Sequence, residues 1–176
     1  MSLFVAAIAL FLAVAIAWFA SRRSGYRHAR DTISELGETG TRDERAVSLG
    51  VFLPVGLALA VVAAQVRAAH PDQAVLAGSL AVGYLGSAIF RCDPGAPLSG
   101  SWRHALHNLA GGVEYVGGAF ALWKLAEPFG PLYHVLGVVV ALAIAVLSLE
   151  ALHPWRGLVQ RLAEAALFFG LGFALK

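Results

Sequence analysis

The stretch LFVAAIALFLAVAIAWFA, residues 3–20, decides the class of this chain. It carries no charge, and the Trp18 indole is its only polar side-chain group. An α-helix needs about 20 such residues to cross roughly 30 Å of hydrocarbon, so the run reads as a membrane-crossing helix. The period-two alternation of a membrane β-strand is absent. A cleaved signal peptide fits less well, because no Lys or Arg precedes Ser21 and the positive charges follow the apolar run.

Five more apolar runs follow at residues 46–68, 74–90, 104–123, 132–152 and 157–175, with a polar loop at 21–45. Of the 176 residues, 59% are hydrophobic and 14% charged, against about 25% charged in soluble domains. The expected fold is therefore all-α: one domain over residues 1–176, a polytopic integral membrane protein built as a bundle of six transmembrane helices. Cys92 is the only cysteine, which excludes an intrachain disulfide and any multi-cysteine metal site made within one chain. The sequence contains no P-loop, dinucleotide fingerprint or GxSxG elbow. With the arginines gathered beside apolar runs, the pI near 9.0 points to anionic membrane lipids as partners and away from nucleic acid.

Ten of the 13 Lys and Arg residues fall in or beside the first, third and fifth connections. Positive flanks are retained in the cytoplasm, so those connections are expected inside and both termini outside the inner membrane. The same three connections carry YRHARDTISELG (26–37), FRCDPGAPLSGSWRHALH (90–107) and LEALHPWRG (149–157), which makes their side the expected working face. In the first, Asp31 or Thr32 with Glu35 suits a capping box. In the third, Asp93-Pro94-Gly95 suits a turn, with Asp93 also placed to serve as a ligand or ion-pair partner.

On the fourth helix His104, His107, Gly111, Glu114 and Gly118 share one polar or small stripe. At about 1.5 Å per residue, Glu114 lies roughly 15 Å deeper than His104 and 10 Å deeper than His107, so the three cannot ligate one ion. His104 and His107 could still hold zinc or another transition metal with Asp93 or His153, or simply hydrogen-bond loops and headgroups at the helix end. Glu114 is the larger anomaly, because a carboxyl deep in a membrane helix is paired, protonated or facing water, and by default marks function. Tyr84 and Tyr115 are candidate partners. On the sixth helix Arg161 and Glu164 are spaced for a one-turn ion pair, with Arg161 also placed to reach Glu114. Glu150 and His153 lie one turn apart just before Pro154.

TISELG in the first loop, FRCDPG after the third helix and HALHNLAG opening the fourth resemble the prokaryotic six-helix membrane proteins of the domain of unknown function 998 family. The resemblance implies a six-helix fold with polar positions at Ser34, Glu35, Asp93 and His107, and no established reaction. ISELG is more weakly similar to the ISDTG loop of DRAM-type membrane proteins, whose matching loop faces away from the cytoplasm.

Three functions fit these residues. The first is binding or transport of a small or lipid-headgroup ligand in a polar intramembrane cavity, with Ser34, Glu35, Asp93, Glu114, Arg161 and Glu164 as the ligand or proton site; a homodimer would ease alternating access. The second is a metal-assisted lipid hydrolase or transferase, with His104, His107 and His153 holding the ion and Glu35 or Glu150 moving protons. The third is a structural or accessory subunit. A reporter fused to either terminus is expected to read as non-cytoplasmic, and a cytoplasmic signal from either end would contradict the charge count.

Overall fold

The computed structural model describes Met1–Lys176 as six helices with no strand. They are α1 (Ser2–Arg22), α2 (Glu44–Val66, with a π turn at Ser48–Phe52), α3 (Pro71–Ile89), α4 (Trp102–Phe129), α5 (Leu132–Leu147) and α6 (Arg156–Ala174). Two 3-10 turns, Ser34–Gly37 and Glu150–Trp155, lie in the first and fifth connections. Ser2–Arg22, Glu44–Val66 and the stretch Glu150–Ala174 are long and apolar enough to cross a membrane. The chain is a helical membrane protein.

Exposed side chains support that reading. Leu10, Phe11 and Val14 on α1, Val116 and Phe120 on α4, Leu142 on α5 and Phe169 on α6 point outward, an apolar surface that water would not tolerate over so many neighbouring helices. Trp18, Trp102 and Trp155 are exposed at the helix ends beside the first, third and fifth connections, where indoles settle at a membrane interface.

The fifth helix is shorter than its apolar run suggests. α5 stops at Leu147, and Glu150–Trp155 tightens into a 3-10 turn. Pro154 has no N–H to give, and its ring opposes the Glu150 carbonyl that a continuing helix would place behind it. α4 runs further than expected, to Phe129, and ends at Gly130, whose φ of +94° lies outside the helical range. Its start is set by Ser101, whose hydroxyl accepts the His104 N–H at 3.3 Å.

α4 occupies a central place because small residues let α3 approach it. A Cβ on Gly83 would sit 1.8 Å from Glu114 Oε2 and 2.7 Å from Glu114 Cβ, and one on Gly86 would sit 2.2 Å from Ala110 Cβ. Gly118 accepts Leu167 of α6 in the same way. Close approach through small residues replaces the hydrophobic drive that lipid removes. Leu59, Leu76, Leu80, Leu122, Leu167 and Leu171 fill the interior.

The first, third and fifth connections converge. The Thr39 N–H donates to the Cys92 carbonyl, Gly95 N–H to Glu38, and Arg91 pairs with Glu44 at 2.9 Å. Arg23 donates to the Glu35 carbonyl and pairs with Glu38. On the other flank, the Gly157 and Leu158 N–H groups at the head of α6 donate to the Arg30 and Ala29 carbonyls. A Cβ on Gly157 would meet the Asp31 carbonyl oxygen at 2.3 Å, so this loop lies directly on the helix end.

Glu35 accepts from both the N–H and the hydroxyl of Thr32, at 2.8 and 2.9 Å, which is one half of the expected capping box. Asp93 accepts from the Ser101 N–H and hydroxyl and closes the third connection on itself. It pairs with neither Arg91 nor Arg103.

Two outcomes test this packing. Gly83→Leu is expected to destabilise the protein by about 1–3 kcal/mol, read as a lower melting temperature in detergent, whereas Gly78→Ala, whose Cβ meets nothing closer than 4.0 Å, should change little. The second outcome concerns acid. Burial alone raises the Asp31 carboxyl, but hydrogen bonds from the Arg30 guanidinium and the Arg27 N–H outweigh it, leaving Asp31 below its ordinary value. Its contribution is present above the unfolded value of about 4 and is lost as pH falls through the lower folded value. Melting curves are expected to decline more steeply below about pH 4 for the wild type than for Asp31→Asn; equal slopes would remove Asp31 from the clamp.

Candidate functional site

Beneath the joined connections lies a cavity of about 400 Å³, within the usual range of roughly 300–1,000 Å³ for small-ligand sites. α4 contributes His107, Asn108, Gly111, Glu114 and Tyr115, and α6 contributes Arg156 and Gln160. Thr32 and Ser34 come from the first connection and Ser87 from α3, while Leu98, Ile144 and Leu147 form an apolar edge. So many polar side chains gathered inside so apolar a bundle is the feature that calls for explanation.

Two buried atoms on these walls lack any hydrogen-bond partner: Glu114 Oε1 and Arg156 Nε. The residues are only 6% and 7% exposed. Such groups are costly to bury unsatisfied, because the water they lose is not replaced. Arg156 also takes no part in the three ion pairs, which join Arg23 to Glu38, Arg30 to Asp31 and Arg91 to Glu44.

Behind Glu114 the polar lining continues inward. Glu164 accepts the Tyr84 hydroxyl at 2.8 Å and the Tyr115 hydroxyl at 2.9 Å. The Glu114 carboxyl lies within hydrogen-bonding reach of Glu164. A void of about 20 Å³ touches both acids as well as Ser34 and Gln160, room for about one water.

The expected site residues divide. Ser34, Glu114 and His107 line the cavity, and Glu164 stands just behind it. Glu35 and Asp93 are instead spent on the first and third connections. Arg161 forms no pair with Glu164 and does not reach Glu114; its guanidinium donates to the His28, Asp31 and Gly157 carbonyls and to the Tyr26 hydroxyl. Carbonyls of a loop lying on the helix end were closer to hand than the acid one turn on. The tyrosines weighed as partners for Glu114 bind Glu164.

The histidines also separate. His104 Nδ1 accepts the Asp93 N–H at 3.2 Å, so Nε2 carries the proton and donates to the Pro97 carbonyl at 2.5 Å. His107 donates from Nδ1 to the Phe90 carbonyl at 2.9 Å, which leaves Nε2 as an acceptor. His153 sits half-buried in the 3-10 turn and does not line the cavity. No three His, Cys, Asp or Glu side chains are grouped to hold a metal ion. Zinc at His104, His107 and His153 therefore has no assembled ligand set.

Arg156, Asn108, Gln160 and Ser87 are site residues beyond those singled out in the sequence. A signal for two of them was present: Arg156, Gln160 and Glu164 recur every four residues, a polar stripe along one face of α6. A second space, of about 780 Å³, lies between α1 and α6 and is lined mainly by apolar residues such as Leu12, Ile16 and Phe168.

No curated protein and no solved structure matches this chain. The likeness to DRAM-type proteins thus has no support from these comparisons. A family model described as "Protein of unknown function (DUF998)" matches residues 4–174. With its TISELG, FRCDPG and HALHNLAG elements meeting at one end of a six-helix bundle, the chain belongs to the DUF998 family.

Proposed function

We propose that this protein is a multi-pass, six-span inner-membrane protein that binds, and in a coupled form transports, a small or lipid-headgroup ligand in its polar cavity. The observation that carries the reading is the cavity of about 400 Å³ whose walls include two buried polar atoms without partners. A site serving only to tie helices together would satisfy its own groups. Glu164, doubly hydrogen-bonded by tyrosines, does serve that purpose, and Glu114 and Arg156 do not.

By the Lys and Arg distribution, the cavity opens toward the cytoplasm and both termini lie outside. The chain of cavity, Glu114, one-water void and Glu164 supports proton coupling, since the void touches both acids. A homodimer would supply the further helices that alternating access needs.

Gly111 tests the cavity without disturbing the fold, because a Cβ there meets nothing within 4 Å. Gly111→Leu fills the space between His107 and Glu114. Detergent-solubilised wild type is expected to gain several degrees in melting temperature when the polar lipids of its host membrane are added back, as any ligand bound to the folded state requires. Gly111→Leu should lose that gain, and Gly50→Leu, equally open but away from the cavity, should keep it. A gain of the same size in Gly111→Leu would refute the cavity as the ligand site.

A further inference from the structure

Arg156 is the only buried arginine of the loop face; Arg22, Arg27, Arg42, Arg45 and Arg103 are exposed to solvent or headgroups. Arg23, Arg30 and Arg91 are paired with acids, and Arg161 is saturated by carbonyls and Tyr26. Arg156 is more than nine-tenths buried, lines the cavity, and has Nε without a partner. Arginine side chains stay protonated in proteins, so this group cannot escape the cost of burial by shedding its charge as a carboxyl can. It needs an anion.

Within the protein none is offered. The only carboxyl on the cavity wall is Glu114, which forms no ion pair with Arg156 and leaves its own Oε1 unpartnered. The two orphan groups thus mark separate regions of one cavity: a cationic one at the head of α6, beside the converged connections, and an acidic one deeper along α4.

Resting on the reading of this cavity as a ligand site, we infer that its ligand bears an oxyanion of the phosphate or carboxylate type, received by Arg156, with an uncharged hydrogen-bonding portion directed at Glu114. A guanidinium presents its N–H groups in a plane that matches two oxygens of such a group. The Gln160 Oε1 is already committed to the Ile33 N–H at 2.6 Å, and its amide NH2 lies within hydrogen-bonding reach of the Tyr115 hydroxyl on the same cavity wall. Asn108 and Ser34 add neutral polar groups. The backbone at the head of α6 contributes nothing, because its Gly157 and Leu158 N–H groups are taken by the first connection. Specificity therefore falls on the Arg156 side chain.

Glu114 limits the other end. Its unpartnered Oε1 is an acceptor for a hydroxyl, and with the Glu164 carboxyl on the same small void the spot disfavours a second anionic group. A polyol phosphate has both halves of this chemistry. Leu98, Ile144 and Leu147 provide an apolar edge along which the chains of a lipid would leave the cavity.

The test is a melting-temperature titration of the full chain in a non-ionic detergent with three probes: phosphatidylglycerol, phosphatidylcholine and inorganic phosphate. Wild type should be stabilised by phosphatidylglycerol or by phosphate, and more weakly by phosphatidylcholine, which has the same phosphodiester but a choline with no hydroxyl to offer Glu114. A response to phosphatidylglycerol and not to phosphate identifies a lipid headgroup as the source of the anion, and a response to phosphate alone identifies a free anion. Arg156→Gln should weaken that response at least tenfold, Arg156→Lys should restore part of it, and Arg67→Gln, exposed on the opposite side, should leave it intact.

Ligand-free Arg156→Gln should melt no lower than wild type, because an unpartnered buried charge has been removed; a lower melting temperature would show an internal partner and overturn the inference. An unchanged response in Arg156→Gln, or no response to either anionic probe, would also overturn it. If Arg156→Gln has no effect while Gly111→Leu abolishes stabilisation by phosphatidylcholine, the anion inference fails and the cavity remains a ligand site. If neither variant alters any response, both fail.

Discussion

Glu164 is the point at which the bundle is fastened. It lies on α6, is buried, and accepts hydroxyls from Tyr84 on α3 and Tyr115 on α4, so one carboxyl joins three helices. In hydrocarbon, where apolar contacts between helices gain little over contacts with lipid, such a polar node fixes which helix faces meet. Gly83 and Gly86 then let α3 close on α4 tightly enough to enclose Glu114. The cavity lies beside this node, with Tyr115 of α4 and Gln160 of α6 in its walls.

A division of labour follows among groups that look alike in sequence. Arg161 and Arg156 are five residues apart on one helix. Arg161 fastens the first connection through three hydrogen bonds and gives a fourth to its own helix, whereas Arg156 faces the cavity with its Nε unused. Likewise Glu164 is saturated and Glu114 is not. Residues that build the site have partners within the protein, and residues that use it wait for one.

The class of fold and the convergence of three connections were legible in the sequence, because apolar length sets the helices and alternate loops of an up-down chain share a side. Glu114 stood out for the same reason: depth on a helix follows from rise per residue. The partners did not follow. Helical spacing put Arg161 within reach of Glu164, yet a loop folded onto Gly157 offered carbonyls first, and no periodicity in α6 encodes where that loop lies. Asp93 and Glu35 drew attention as acids at a membrane boundary, and both proved to close their own loops. Arg156 looked like one more flanking charge, since burial of a residue at a helix end depends on what covers it.

The central claim is that Arg156 is a cation waiting for a ligand's oxyanion. It is tested most directly by an experimental structure in nanodiscs of phosphatidylglycerol at a resolution that shows side chains. Non-protein density within about 3 Å of the Arg156 guanidinium, occupying the space beside Asn108 and Gln160, is the predicted result. An Arg156 side chain turned to pair with Glu114 or with a loop carboxylate, above a cavity holding only water, would contradict it.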